Sequence, residues 1–142
     1  LEAEVGRLQG VRLLLPGVSY REDVSDTRYS PSETFVVAAE QQGVIVACHD
    51  PLVSYWPEMQ RAPDTDITRC PDVDAVVFAV RHQQYQTIDP GEWLDGRTPL
   101  VIDANSVLDP SQVASFQAAG CRVAAVGRGS TSDKSNKGAT CP

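Results

Sequence analysis

The chain predicts the α/β class: a Rossmann-like, three-layer domain with a mostly parallel sheet of about five strands. Three observations predict it. Short runs of apolar, largely β-branched residues recur along the chain, segments with helix start and stop signals separate them, and the runs are apolar throughout rather than alternating. Strands of that kind are covered on both faces, and right-handed crossovers between them give a doubly wound domain. With 142 residues there is room for one such domain.

Leu1, Val5 and Leu8 stand at helical spacing, so residues 1–9 are expected to be the end of a longer connecting helix, and the chain a piece of something larger. Val11 to Leu15 is an apolar run stopped by Pro16-Gly17, the first strand, and a polar loop follows from Val18 to Tyr29. Ser30, Pro31 and Glu33 supply an N-cap, a first-turn proline and a capping-box partner for a helix running to Gln42, with Gly43 as its stop. Val44 to Cys48 is expected to be a strand buried on both faces, ending in His49-Asp50-Pro51. Leu52 to Asp72, interrupted by Pro57, Pro63 and Pro71, predicts a loop with one short helix.

The third strand is Ala75 to Val80, followed by a helical turn over His82 to Gln86 and a short helix capped by Asp89. Leu100 to Ile102 forms the fourth strand. Asp109-Pro110-Ser111-Gln112 caps a helix that Gly120 ends, and Val123 to Val126 is the fifth strand. From Gly129 onward the composition is Gly, Ser, Thr, Lys and Asn, which predicts a mobile tail over residues 129–142.

Composition narrows function. Twelve Lys+Arg against 19 Asp+Glu give a net charge of -7, a field unsuited to nucleic acid or an anionic membrane. No apolar run approaches a membrane span and the start lacks a signal-peptide pattern, so a cytoplasmic location is expected. Cys48, Cys70, Cys121 and Cys141 form no C-x-x-C pair, which argues for reduced thiols and against a zinc ribbon. His49 and His82 are the only histidines, too few to build a metal site, and none is expected; Asp50 is expected to fix a turn. Cys48, in an apolar strand, should have a raised thiol pKa rather than a nucleophile's lowered one.

Ligands of an open parallel sheet bind outside the carboxyl ends of its strands. The first such loop holds one glycine, Gly17, and no G-x-G-x-x-G cradle, so an independent NAD site is not expected. The loop instead carries Arg21 and Arg28, which could grip phosphate through bidentate contacts oriented by Asp23 and Asp26, or could form ion pairs on a solvated loop. Amides at the start of the Ser30 helix could receive an anion. Asn105 could present a donor and an acceptor to a base or sugar, or could satisfy its own loop. Tyr20 and Trp56 could stack on a base or belong to core or rim.

The stretch from Gly17 to Pro31, with Gly17, Tyr20-Arg21, Asp23, Asp26, Arg28 and Ser30-Pro31, resembles the opening of the C-terminal domain of UDP-glucose/GDP-mannose dehydrogenases, where G-x-x-[FY]-K-x-[DN]-x-x-D-x-R-x-S-P is typical. The resemblance continues through Asp50-Pro51, Asp74 to Val77, Asp103 with Val107 to Asp109, Gly120 and Val126 to Arg128, covering about residues 11–128. It implies that residues 10–128 are the nucleotide-sugar-binding domain of an NAD-dependent enzyme that oxidises the sugar's 6-hydroxymethyl to a carboxylate. NAD would be bound mainly by an N-terminal domain, a central region would carry the catalytic cysteine, and the parent would be a homo-oligomer. Neither part lies in this chain, which alone should not turn over.

The resemblance further implies that Tyr20 and Arg21 contact the nucleotide sugar and that Arg28 reaches toward the cofactor. Asn105 stands where many members have the arginine of Asp-Gly-Arg and is assigned to substrate. Two departures stand out: Arg21 replaces a lysine, and Ala104-Asn105 replaces Gly-Arg, changes that should alter how a diphosphate is held. A degenerate nucleotide- or protein-binding module without dehydrogenase activity is the alternative, and a purely structural domain docking a partner through its acidic surface is a third.

Overall fold

The computed structural model describes residues 7–126. Five strands, β1 (Arg12–Pro16), β2 (Ile45–His49), β3 (Ala75–Phe78), β4 (Leu100–Asp103) and β5 (Val123–Ala125), form one sheet in the order β2-β1-β3-β4-β5. All four pairings are parallel. The helices are α1 (Pro31–Gln41), α2 (Gln83–Gln86), α3 (Pro90–Leu94) and α4 (Pro110–Ala118), with a 3-10 turn at Pro57–Met59 as the short helix of the second connection. The expected Rossmann-like, three-layer architecture is therefore present, with strand ends within two residues of their predicted positions. The expected connecting helix and mobile tail lie outside the described residues, except that Arg7 to Gln9 are not helical.

The layers follow from alternation along the strands. Leu13, Leu15, Val77 and Ile102 face α1 and pack with Val36, Ala39 and Trp56. Leu14, Val76, Phe78 and Val101 face the other way, against Tyr85, Trp93, Leu94 and Phe116 from α2, α3 and α4. Phe78 lies within 6.0 Å of the rings of Tyr85, Trp93 and Phe116, so that face is filled with aromatics. The connection from β2 to β3 wraps the sheet: Trp56 packs on the α1 side and Cys70 on the opposite side.

Two local expectations need correction, at β2 and at the cap of α1, and the open choice at Trp56 is decided for the core. β2 is not buried on both faces: it is an edge strand, and Ile45 is 61% exposed because the connection that follows it carries no covering helix. Trp56 is fully buried and cannot stack on a ligand. Ser30 caps α1, but its Oγ accepts from the Ser32 amide, and the Glu33 return bond of a capping box is not made. The reason is local, since the Ser30 amide already donates to the Thr27 carbonyl at 3.3 Å. The equivalent box at Asp109 and Gln112 closes in both directions. No helix among the described residues is long and apolar enough to cross a membrane.

Candidate functional site

The strand order reverses between β1 and β3, which makes their carboxyl ends the switch-point crevice where ligands of such sheets bind. The two exits press together. Gly17 leaves β1 with φ +110°, and a Cβ there would lie 2.6 Å from both the Val80 amide nitrogen and Val80 Cβ, so only glycine fits. On the α1 side the crevice opens into an apolar cavity of about 250 Å³ walled by Leu15, Phe35, Val77, Ile102, Ala104 and Val126. No charged side chain lines it, so any anion must be held on the surrounding loops.

Those loops are built on buried polar groups. Asp50, directly after β2, is fully buried, and its Oδ2 accepts the amides of Val18 at 2.9 Å and Ser19 at 3.2 Å. Its Oδ1 accepts the Leu52 amide at 2.9 Å, the expected turn-fixing bond. His82, two residues beyond Val80 and also buried, places Nε2 2.9 Å from Asp50 Oδ2 and 3.1 Å from Ser19 Oγ. Its Nδ1 accepts the Asp23 amide at 2.8 Å. That bond assigns the Nε2–H tautomer, which donates to Asp50, while the Ser19 hydroxyl donates to the Arg21 carbonyl at 2.9 Å. Burial alone would raise the Asp50 carboxyl, but bonds from His82, Val18 and Leu52 outweigh it and hold the group below the usual range.

Serine, histidine and aspartate meet here, yet the set is not a nucleophilic relay. Such a relay needs serine and acid on opposite ring nitrogens and a base nitrogen free to take a proton. Here both face Nε2, Nδ1 is filled, and Ser19 is fully buried. The group is a clasp joining the ends of β1, β2 and β3. The sequence alone does not reveal it, because its members are spread over more than sixty positions; the usable signal is only that Asp50 and His82 both follow apolar strands.

The clasp also bears on NAD. In dinucleotide-binding folds the amides after the first glycine receive the pyrophosphate. Here the Val18 and Ser19 amides are taken by a carboxylate of this chain, and Val80 closes on Gly17. The residues present do not fit a dinucleotide cradle at this loop. The start of α1 is equally occupied, because Ser32 donates to Ser30 Oγ and Glu33 to the Ser30 carbonyl.

The predicted site residues divide into two groups. Tyr20 is 53% exposed, and Arg21 and Asn105 are exposed with no side-chain hydrogen bond among the described residues. The strands that deliver them, β1 and β4, are separated by β3 alone, about 10 Å across the sheet. Arg28, by contrast, is engaged: Nε and Nη2 bond Asp26 at 3.0 and 2.8 Å. That pair, with the Arg28 amide, holds the Asp26 carboxyl at about 2. Asp23 does not orient Arg21; its carboxylate accepts the Gln83 amide at 2.9 Å and so fastens the loop to α2.

His49 and His82 both pack against the Tyr85 ring. His49 Nδ1 meets the Tyr85 hydroxyl at 2.8 Å in the core, and burial keeps its pKa low. No group of three His, Cys, Asp or Glu side chains suited to a metal occurs among the described residues. Burial raises the Cys48 thiol, as its strand position predicts.

Comparison with known proteins places this geometry. The profile described as "UDP-glucose/GDP-mannose dehydrogenase family, UDP binding domain" matches residues 14–110. A UDP-glucose 6-dehydrogenase of Pseudomonas aeruginosa PAO1 is 27% identical over 120 residues, covering 77% of this chain and 26% of the relative. Among solved structures, the NDP-N-acetyl-D-galactosaminuronic acid dehydrogenase of Methanosarcina mazei Go1 superposes with a TM-score of 0.73 at 23% identity, over 89% of this chain and 27% of that one. A UDP-glucose dehydrogenase from Pyrobaculum islandicum gives 0.63 at 20% identity, over 88% and 27%. These structural likenesses carry the fold, and the chain spans about a quarter of the length of each relative.

Proposed function

Because the chain belongs to the UDP-glucose/GDP-mannose dehydrogenase family, as its UDP binding domain, we propose that it holds the nucleotide sugar for an NAD-dependent nucleotide-sugar 6-dehydrogenase. Residues 10–128 would be the holding domain, residues 1–9 the end of the helix leading into it, and residues 129–142 its tail. NAD and the groups that carry out oxidation would belong to the rest of a cytoplasmic, homo-oligomeric parent. This chain's part is positioning: nucleotide contacts remote from the reacting carbon supply the binding energy that fixes the sugar C6.

In that role the Tyr20 ring stacks on the base and the Arg21 guanidinium takes diphosphate oxygens through its planar fork. The Asn105 amide offers one donor and one acceptor edge to a hydroxyl of the sugar. Arg28, braced by Asp26, keeps Nη1 for a contact toward the cofactor across the domain boundary. The observation that carries the reading is the loop from Gly17 to Ser30. Buried groups anchor its inner side while Tyr20 and Arg21 remain outside.

A two-dimensional NMR titration with UDP, GDP and UDP-glucose tests it. Saturable shifts at Tyr20, Arg21 and Asn105 are the expected result, and the base preference ranks the nucleotides. Absence of shifts at millimolar ligand, both here and in the longer parent, rejects the reading. The neutral Asn105 favours one rival, a binding module without dehydrogenase activity; an upstream G-x-G-x-x-G and a catalytic cysteine in the same reading frame would decide against it.

A further inference from the structure

Arg81 follows Val80 at the carboxyl end of β3, and the site described so far leaves it without a role. Its Nε donates to the Ser106 carbonyl at 3.1 Å, across the gap between the β3 and β4 loops. Ser106 is fixed in the left-handed region at φ +53°, beside Asn105. The loop it belongs to is pinned by Asp103, which accepts the amides of Asn105, Val107 and Leu108 at 3.2, 2.8 and 3.0 Å. The guanidinium is therefore anchored through one nitrogen to a rigid support. Its two Nη groups have no acceptor and no carboxylate within ion-pair distance among the described residues.

Other charges at this edge are spoken for. Arg28 is committed to Asp26, Asp50 is buried under amides, and the chain as a whole is acidic at -7. Arg21 shares the uncommitted state. The two arginines also spring from backbone on either side of one residue: Ser19 Oγ donates to the Arg21 carbonyl and lies 3.1 Å from Nε2 of His82, the residue next to Arg81. An arginine with its fork free and its stem braced is prearranged for a doubly charged oxyanion.

We propose that Arg81 is a second anion-holding residue of this edge, gripping the diphosphate of the nucleotide sugar together with Arg21 and bringing the charge that Asn105 lacks. The proposal rests on the nucleotide-sugar reading above. It makes a distinction that reading alone does not, between contacts to the diphosphate and contacts to the base.

The test is an NMR titration of the chain and of Arg81→Ala with UDP, with uridine and with inorganic pyrophosphate, observing Tyr20, Arg21 and Asn105. Arg81 is exposed and its side chain makes one bond, so the variant keeps the fold, which its unperturbed core resonances will verify. UDP and pyrophosphate affinity should fall about tenfold in Arg81→Ala, the size of one charge-assisted contact, with uridine affinity unchanged. Arg81→Lys, which keeps charge without the fork, should recover part of the loss. Equal UDP affinity in the variant and the parent chain overturns the assignment of Arg81 and leaves the nucleotide reading standing. An equal loss for UDP and uridine also overturns it, because the effect is then on loop shape. Failure of both the unaltered chain and the longer parent to respond to UDP and uridine overturns the nucleotide reading, and Arg81's role with it.

Discussion

Asp50 and Asp103 are both fully buried carboxylates at the carboxyl ends of parallel strands, and each accepts three backbone amides. They organise the molecule at different ranges. Asp103 serves its own loop, bonding residues two, four and five positions ahead. Asp50 bonds Leu52 locally but also Val18 and Ser19, more than thirty positions back, and His82, thirty-two ahead. One aspartate shapes a turn; the other joins three strand ends and orients the loop that carries Tyr20 and Arg21. A carboxylate shared between elements makes the candidate site depend on the whole sheet, whereas the three amide bonds of Asp103 stay within the Asn105 loop.

The largest effect that separates the two regions is expected at Gly17. Gly17→Ala adds a methyl 2.6 Å from the Val80 backbone at a φ side chains avoid, and should cost about 4 kcal/mol in urea unfolding. Next, Asp50→Ala strands His82 and three amides and should cost about 3 kcal/mol, against about 2 for Asp103→Ala. Hydrogen exchange gives the sharper distinction. Asp50→Ala should expose amides at 18–23 and near 82, while Asp103→Ala should expose those at 105–108; the same footprint from both variants would break the comparison.

Much of this fold is legible in the sequence because its signals are local. Val44 to Cys48 and Ala75 to Val80 announce strands by composition, Gly43 and Gly120 end helices, and the Asp109 to Gln112 box is complete within four residues. Turn-fixing by Asp50 is legible for the same reason. The clasp is not, because Ser19, Asp50 and His82 meet only once the order β2-β1-β3 brings their strands side by side. Strand order also explains the error at β2: an apolar run does not reveal that it lies at an edge. At the candidate site, motif matching proposes Tyr20, Arg21, Arg28 and Asn105. The Arg28–Asp26 pair, two residues apart in one loop, is among the alternatives the sequence leaves open, whereas the bracing of Arg81 by Ser106 is hidden because it depends on where two separate loops finish.

A smaller effect should follow pH. The folded Asp50 carboxyl lies below its unfolded value of about 4, so its contribution is complete above that pH and is lost as pH falls through the folded value. Asp50→Asn should accordingly narrow its stability gap to the parent chain in buffers stepped from pH 6 to pH 2; a constant gap would mean that the carboxylate's charge contributes nothing. The smallest effect has the opposite sign. Ser106 holds a left-handed backbone without being glycine, and Ser106→Gly should raise the unfolding midpoint by an amount equivalent to about 0.5 kcal/mol.

The Val18 and Ser19 amides, filled by Asp50, carry a consequence for kinetics. A loop whose anion receptor is permanently satisfied from within has no ordering step left for a ligand to induce. Nucleotide encounter at Tyr20 and Arg21 should then proceed as a rigid-body collision. Its rate would be set by diffusion and ionic strength, and the heat-capacity change would reflect contact area alone, without the signature of coupled folding.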